Sequence, residues 1–242
     1  MAIDSHKEVH KGKTSSEMNK LLVIEAHSDD SAIGAYGLIQ KMKFQWYKPY
    51  FFVCAASDFS MHHSGLVSRA TRLKEYADYV KMMDGTLVES RSPMDAEARL
   101  DMVPMSMLVS TIEAAIMEVR PQVLICQAPS FHQDHEIVYK ATIAAIRPTA
   151  RFHPDEVLLM ENSTYYHSSG PSTDFRPSTY CCMTEEEMQA KIDCFMSCFP
   201  SQIRGRENCL SPEGIKAWAK YRAIECNYPF YAEAFVPFIR RI

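Results

Sequence analysis

The chain has 242 residues, of which 47% are hydrophobic and 23% charged, with 8 Gly, 13 Pro, 8 Cys and a formal net charge of −4. At roughly 100–200 residues per domain this length suits one large domain, and ample aliphatics with little Gly and Pro exclude a disordered or fibrous chain. Weak acidity argues against a dedicated nucleic-acid binder. No stretch approaches the roughly 18–20 apolar residues that span a bilayer, so no integral membrane segment is expected.

Residues 1–19 are polar, hold no continuous apolar run, and read as a flexible tail rather than a secretory signal. Residues 20–242 are expected to form a single domain. Leu21–Ala26 (LLVIEA) reads as a buried strand and residues 31–43 as a helix. Tyr50–Ala56 (YFFVCAA) reads as a second buried strand, and Ser68–Met83 as an amphipathic helix. Asp84-Gly85 punctuates the chain before a short strand at Thr86–Glu89. Pro104–Arg120 carries Met105, Leu108, Val109, Ile112 and Ile116 at helical spacing, and Pro121 ends it. Gln122–Ala128 (QVLICQA) is a further buried strand, followed by a helix over Glu136–Ile146 and a strand at Val157–Met160.

Beyond a Ser/Pro/Thr-rich loop at 162–179, Thr184 with Glu185–Glu187 marks one helix start and Ser211-Pro212 another. Tyr231–Ile239 closes the chain as a strand. Strands apolar on both faces and joined by helices imply an α/β fold: a Rossmann-like, mostly parallel sheet with helices on both faces. Such sheets place their sites at the carboxyl ends of the strands.

Two polar clusters stand at those ends. Ala26-His27-Ser28-Asp29-Asp30 follows the first strand, and His132-Gln133-Asp134-His135 follows Gln122–Ala128. Each has an ordinary reading when taken alone, since Asp29 or Asp30 caps a helix and His132 fits a loop or a cap. Together they supply three histidines and three carboxylates, and the adjacent Asp29 and Asp30 repel unless a cation lies between them. The eight cysteines contain no C-x-x-C pair. Cys194 and Cys198 share a helix face without the tighter clustering of a structural zinc site. A reducing cytoplasm is the simplest setting.

The two clusters resemble the A-H-P-D-D and H-x-D-H motifs of the PIG-L/LmbE-like zinc-dependent N-deacetylases. Arg72-Leu73-Lys74-Glu75 is similar to the family's R-x-x-E helix. The helix from Lys191 to Ser201-Gln202 resembles its K…S-Q helix, and Tyr231-Ala232-Glu233-Ala234-Phe235 its Y-A-E-x-F ending. One departure is Ser28, where the family usually has proline.

The resemblance implies a hydrolase that removes the acetyl group of an N-acetylated amino sugar or its conjugate, releasing acetate and a free amine. His27, Asp30 and His135 would bind the metal, expected to be Zn2+, with Fe2+, Co2+ or Mn2+ as alternatives. A catalytic metal of this kind keeps a position open for water. Asp29 would be the general base and His132 the protonated partner that steadies the oxyanion and protonates the amine. Asp134 would orient a histidine. Arg72, Asp95 and Tyr165 would contact the sugar. A solvated helix arginine, a turn residue and a packing tyrosine are their competing readings.

Two other functions stay open: a sugar-binding homologue without turnover, and a non-haem iron oxygenase using the same two histidines and one carboxylate. A homo-oligomer is compatible with all three.

Overall fold

The computed structural model describes residues 18–61, 65–89, 93–163, 175–205 and 208–241. Of the tail expected over 1–19, residues 1–17 lie outside the described residues, as does Tyr165, while Asn19 already begins the first strand. A seven-stranded sheet has the order β5-β2-β1-β6-β7-β9-β8, built from β1 (Asn19–Glu25), β2 (Tyr47–Val53), β5 (Thr86–Leu87), β6 (Val123–Gln127), β7 (Glu156–Met160), β8 (Thr179–Met183) and β9 (Tyr231–Arg240). β1, β2, β5, β6 and β7 run parallel, whereas β9 pairs antiparallel with both β7 and β8. A separate hairpin joins β3 (Phe59–Met61) to β4 (Gly65–Val67).

The alternation of side chains along each strand divides the core in two. Leu21, Val23, Phe51, Val53, Val123 and Ile125 face a layer formed by α1 (Asp30–Gly34), α2 (Tyr36–Phe44), α3 (Arg69–Met82), α6 (Glu185–Cys198) and α7 (Pro212–Glu225). Leu22, Ile24, Phe52, Leu124 and Cys126 face the layer of α4 (Met105–Val119) and α5 (Gln133–Ala145). The mostly parallel, two-sided α/β sheet expected from the apolar runs is therefore present.

Several boundaries differ from the sequence reading, each for a local reason. The helix expected over 31–43 is two helices, broken at Ala35 with φ −144°. The break lets Glu233 accept the Gly37 and Leu38 amides at 2.9 and 3.0 Å and so cap α2 from β9. α5 starts three residues earlier than Glu136, because His132 is its N-cap. β8 and the β3–β4 hairpin lacked the apolar runs that mark the central strands. Both Thr184 and Ser211 cap their helices as expected, Thr184 in a full capping box with Glu187.

Gly34 sets how closely α1 approaches the sheet. A Cβ there would overlap the Glu161 carbonyl oxygen, so glycine is what lets α1 lie against the end of β7.

Candidate metal and acid–base centre

β1 and β6 are neighbours in parallel register, with Ile24 opposite Cys126. The chain leaving each strand therefore enters the same space, and the two polar clusters meet there. The turn after β1 is tied across to β6 by the Ala26 N–H, which donates to Gln127 Oε1 at 2.8 Å. His27 N–H donates to Asp30 Oδ2 at 2.7 Å, closing the turn onto the first residue of α1. On the other side, His132 Nδ1 accepts the Asp134 N–H at 3.1 Å, which sets Asp134 and His135 on the first turn of α5.

The inner shell is compact and buried. His27 Nδ1 lies 3.2 Å from His135 Nε2, Asp30 Oδ1 lies 3.3 Å from His135 Nε2, and Asp30 Oδ2 lies 3.8 Å from His27 Nδ1. Ligands about 2.0–2.1 Å from a tetrahedral zinc stand about 3.3 Å from one another, so this donor set has the right size. The outward ring nitrogens are already engaged. His27 Nε2 is 3.0 Å from Asp134 Oδ2, and His135 Nδ1 is 2.8 Å from Ser130 Oγ. With their hydrogens turned outward to those partners, the two rings present facing lone pairs, an arrangement that needs positive charge between them.

The electrostatics agree. Burial alone pulls the His27 imidazole down, but its bond to Asp134 and the charges of Asp30 and Glu97 outweigh this and raise it to about 9. Burial pushes Asp30 up, yet the neighbouring His135 and His27 hold it well below the usual carboxylate range. Asp134 resists burial in the same way, because His27 and the Leu100 and Ala98 amides bond its carboxylate. A proton is one way to supply the missing charge, and a divalent cation is the other. His132 also brings a ring nitrogen to the cluster: donor atoms of His27, His132 and His135 lie within 4.8 Å of one another.

Asp29 and His132 complete the centre. Burial and the adjacent Asp30 both raise the Asp29 carboxyl. Burial, with His27 and His135 beside it, pulls His132 down to about 4. Its Nδ1 can accept the Asp134 amide only while unprotonated, so the resting form is neutral, with its hydrogen on Nε2. A permanently protonated His132 is thus disfavoured; a neutral ring still offers one N–H to a developing oxyanion.

A cavity of about 90 Å3 opens over these groups, with His27, Asp29, Asp30 and His132 on one side and Arg72, Glu97, Asn162, Gln202 and Arg204 around it. Arg72 is buried on α3, 2.8 Å from Glu97 Oε1, and its Nε has no partner among the described residues. Arg69 does not reach the cavity; its guanidinium braces the loop carbonyls of Ala56 and Pro93, each at 2.9 Å. Asp95 is exposed and outside the cavity lining; the acid of that loop that reaches it is Glu97, two residues on.

The remaining motifs are braces around this centre. Glu75 accepts both the N–H and the hydroxyl of Ser201, at 2.9 and 2.6 Å, which sets Gln202 at the cavity wall. Lys191 and Glu233 form a buried pair at 2.8 Å beside α1 and α2. Sequence reasoning missed Gln127, Ser130, Glu97 and Asn162. Three of them stand within three residues of a strand end, where position in an α/β sheet was the available signal. For Glu97 no local signal existed.

The sequence model of the PIG-L family, described as GlcNAc-PI de-N-acetylase, matches residues 22–146. No curated protein sequence matches the chain. Among solved structures, the chain is similar to the A40926 pseudoaglycone deacetylase Dbv21, with 17% identity and a TM-score of 0.71 over 93% of this chain and 99% of that one. It is also similar to the N,N′-diacetylchitobiose deacetylase of Pyrococcus horikoshii, with 16% identity and a TM-score of 0.67 over 92% and 85%. The 4-carboxy-2-hydroxymuconate hydratase GalB of Pseudomonas putida shares the fold as well, with 16% identity and a TM-score of 0.70 over 93% and 98%. The fold thus carries more than one chemistry, and the residues at the site must decide.

Proposed function

The chain belongs to the PIG-L family, and from that premise we propose that it is a metal-dependent deacetylase acting on an N-acetylated amino sugar or its conjugate. The observation that carries this reading is the buried His27/Asp30/His135 set at tetrahedral ligand spacing with Asp29 beside it. His27 Nδ1, His135 Nε2 and an Asp30 oxygen would hold the ion, for which zinc is the first candidate. When bound, the ion polarises the acetyl carbonyl and lowers the pKa of a coordinated water toward about 7.

Each other residue has work its position suits. Asp29, kept basic enough by burial and by Asp30, takes the proton of the attacking water. The same carboxyl can then return that proton to the amine, whose departure breaks the C–N bond. His132 Nε2–H steadies the negative oxygen formed on the carbonyl carbon, as a preformed donor needing no reorganisation. Asp134 holds the His27 ring in the tautomer that leaves Nδ1 free. Arg72, presented by Glu97, is the group we assign to sugar hydroxyls; Asp95 lies outside the cavity lining, which leaves Glu97 as that loop's contact.

Among the described residues no helix is long and apolar enough to cross a membrane, and all eight cysteines are free. Free thiols fit a reducing compartment, and we assign the protein to the cytoplasm on that ground.

The direct test is acetate release from a panel of N-acetylglucosaminides by protein stripped of metal and reloaded with zinc. Release that depends on zinc and is lost in Asp29→Asn is the expected result. Zinc-loaded protein that releases no acetate across the panel overturns the proposal. Oxygen consumption with a 2-oxo acid and iron would instead support the oxygenase.

A further inference from the structure

A carboxylate offers about four lone-pair directions, and in Asp30 three of them are already taken by the protein. Oδ2 accepts the His27 N–H at 2.7 Å and the side-chain amide of Gln127. Oδ1 accepts Asn162 Nδ2 at 2.8 Å, and its remaining direction faces His135 Nε2 at 3.3 Å. These donors come from the ends of three adjacent strands, β1, β6 and β7, so the carboxylate is oriented by the sheet itself.

The orientation of the Gln127 amide is fixed. Its Oε1 accepts the Ala26 N–H, which leaves only its NH2 to face Asp30. Gln127 is fully buried and Asn162 nearly so, at 4% exposure, so water does not compete for these bonds. Asn162 is anchored in turn by its neighbour Glu161, which binds Trp218 Nε1 at 2.9 Å and Arg222 Nε at 2.8 Å.

We propose that Gln127 and Asn162 are positioning residues that restrict Asp30 to metal binding through one oxygen, Gln127 by occupying Oδ2 and Asn162 by orienting Oδ1, a role that rests on the proposed metal site and deepens it. A carboxylate binding through both oxygens would fill a position that water and the acetyl oxygen require. With Oδ2 saturated by two donors, only Oδ1 has a lone pair to give. The amides also draw charge from the carboxylate, which leaves the ion a stronger acid toward its water.

The test uses the full-length protein stripped of metal and titrated with Co2+ against a chromogenic chelator, with visible absorption recorded. Asn162→Ala and the similar-sized Asn162→Leu should each weaken Co2+ binding roughly 10–100-fold. Gln127→Met, or Gln127→Leu if that variant fails to fold, frees a lone pair of Oδ2 and should dim the visible bands, because four-coordinate Co2+ absorbs more strongly than five- or six-coordinate Co2+. Folded variants with wild-type affinity and band intensity would sink the proposal. Unchanged bands in the Gln127 variant would also overturn it, since Asp30 would then still bind through one oxygen with Oδ2 free. Failure of the wild-type protein to take up Co2+ would instead overturn the metal site itself, a result distinct from either.

Discussion

Asp134 Oδ2 lies 3.0 Å from His27 Nε2, although the two residues are 107 positions apart. The same carboxylate accepts the Ala98 N–H at 2.6 Å and the Leu100 N–H at 3.0 Å. Ala98 makes this bond from a left-handed backbone, φ 57°, which costs a residue with a side chain about 1–2 kcal/mol. Backbone strain of this kind is maintained where surrounding structure demands it, and here it fixes the acceptor that orients a metal ligand.

Asp134→Asn should therefore weaken zinc binding by roughly 10–100-fold, because the amide no longer favours the Nε2–H tautomer of His27. Chelator competition measures this directly. Unchanged affinity would mean that His27 is oriented by something other than Asp134.

Asp29 should separate chemistry from binding. Asp29→Asn removes the base yet leaves His27, Asp30 and His135 in place, so kcat should fall by roughly 10²–10⁴ while zinc affinity stays near wild type. A variant that loses zinc in proportion to activity would recast Asp29 as a ligand.

The Lys191–Glu233 pair is almost wholly buried. Lys191→Met leaves the Glu233 carboxylate without its cation and should cost about 3–5 kcal/mol, read by denaturant unfolding of the metal-free protein. Glu233 would still accept the Gly37 and Leu38 amides. Adding Glu233→Gln should recover part of the loss, and a double variant no better than the single one would show that the charge was not the cause.

Ser28 stands where the family resemblance places proline. Among the described residues its buried hydroxyl has no partner and its N–H makes no hydrogen bond. Ser28→Pro should accordingly raise stability by about 0.4–1 kcal/mol without loss of metal affinity. A thermal melt checks it, and a lowered midpoint would mean that this turn has a backbone proline cannot adopt.

Much of the fold was legible in sequence because the central strands are buried on both faces and read as continuous apolar runs. β1, β6 and β7 were all found this way. β8 and the β3–β4 hairpin were not, since an edge strand with half-buried residues such as Thr179 and Cys182 carries no such run. Helix starts were legible wherever a capping side chain announced them, as at Thr184 and Ser211. His132 reads as a loop or capping residue, yet histidine is an uncommon cap, and the helix after it was expected to start three residues late.

The sequence by itself determined which residue types stand at the strand ends: two histidine–aspartate motifs, each next to a buried strand, and the fold class that brings such ends together. Only the tertiary structure decided how they are wired. The parallel register of β1 with β6 sets the 3.2 Å approach of His27 to His135. Arg72 meets Glu97 rather than Asp95, and Gln127 and Asn162 converge on Asp30 from the ends of separate strands. The reason is one of range. Motifs record which groups a short segment carries, whereas hydrogen-bond partners chosen across about 100 residues depend on distances that no local pattern encodes.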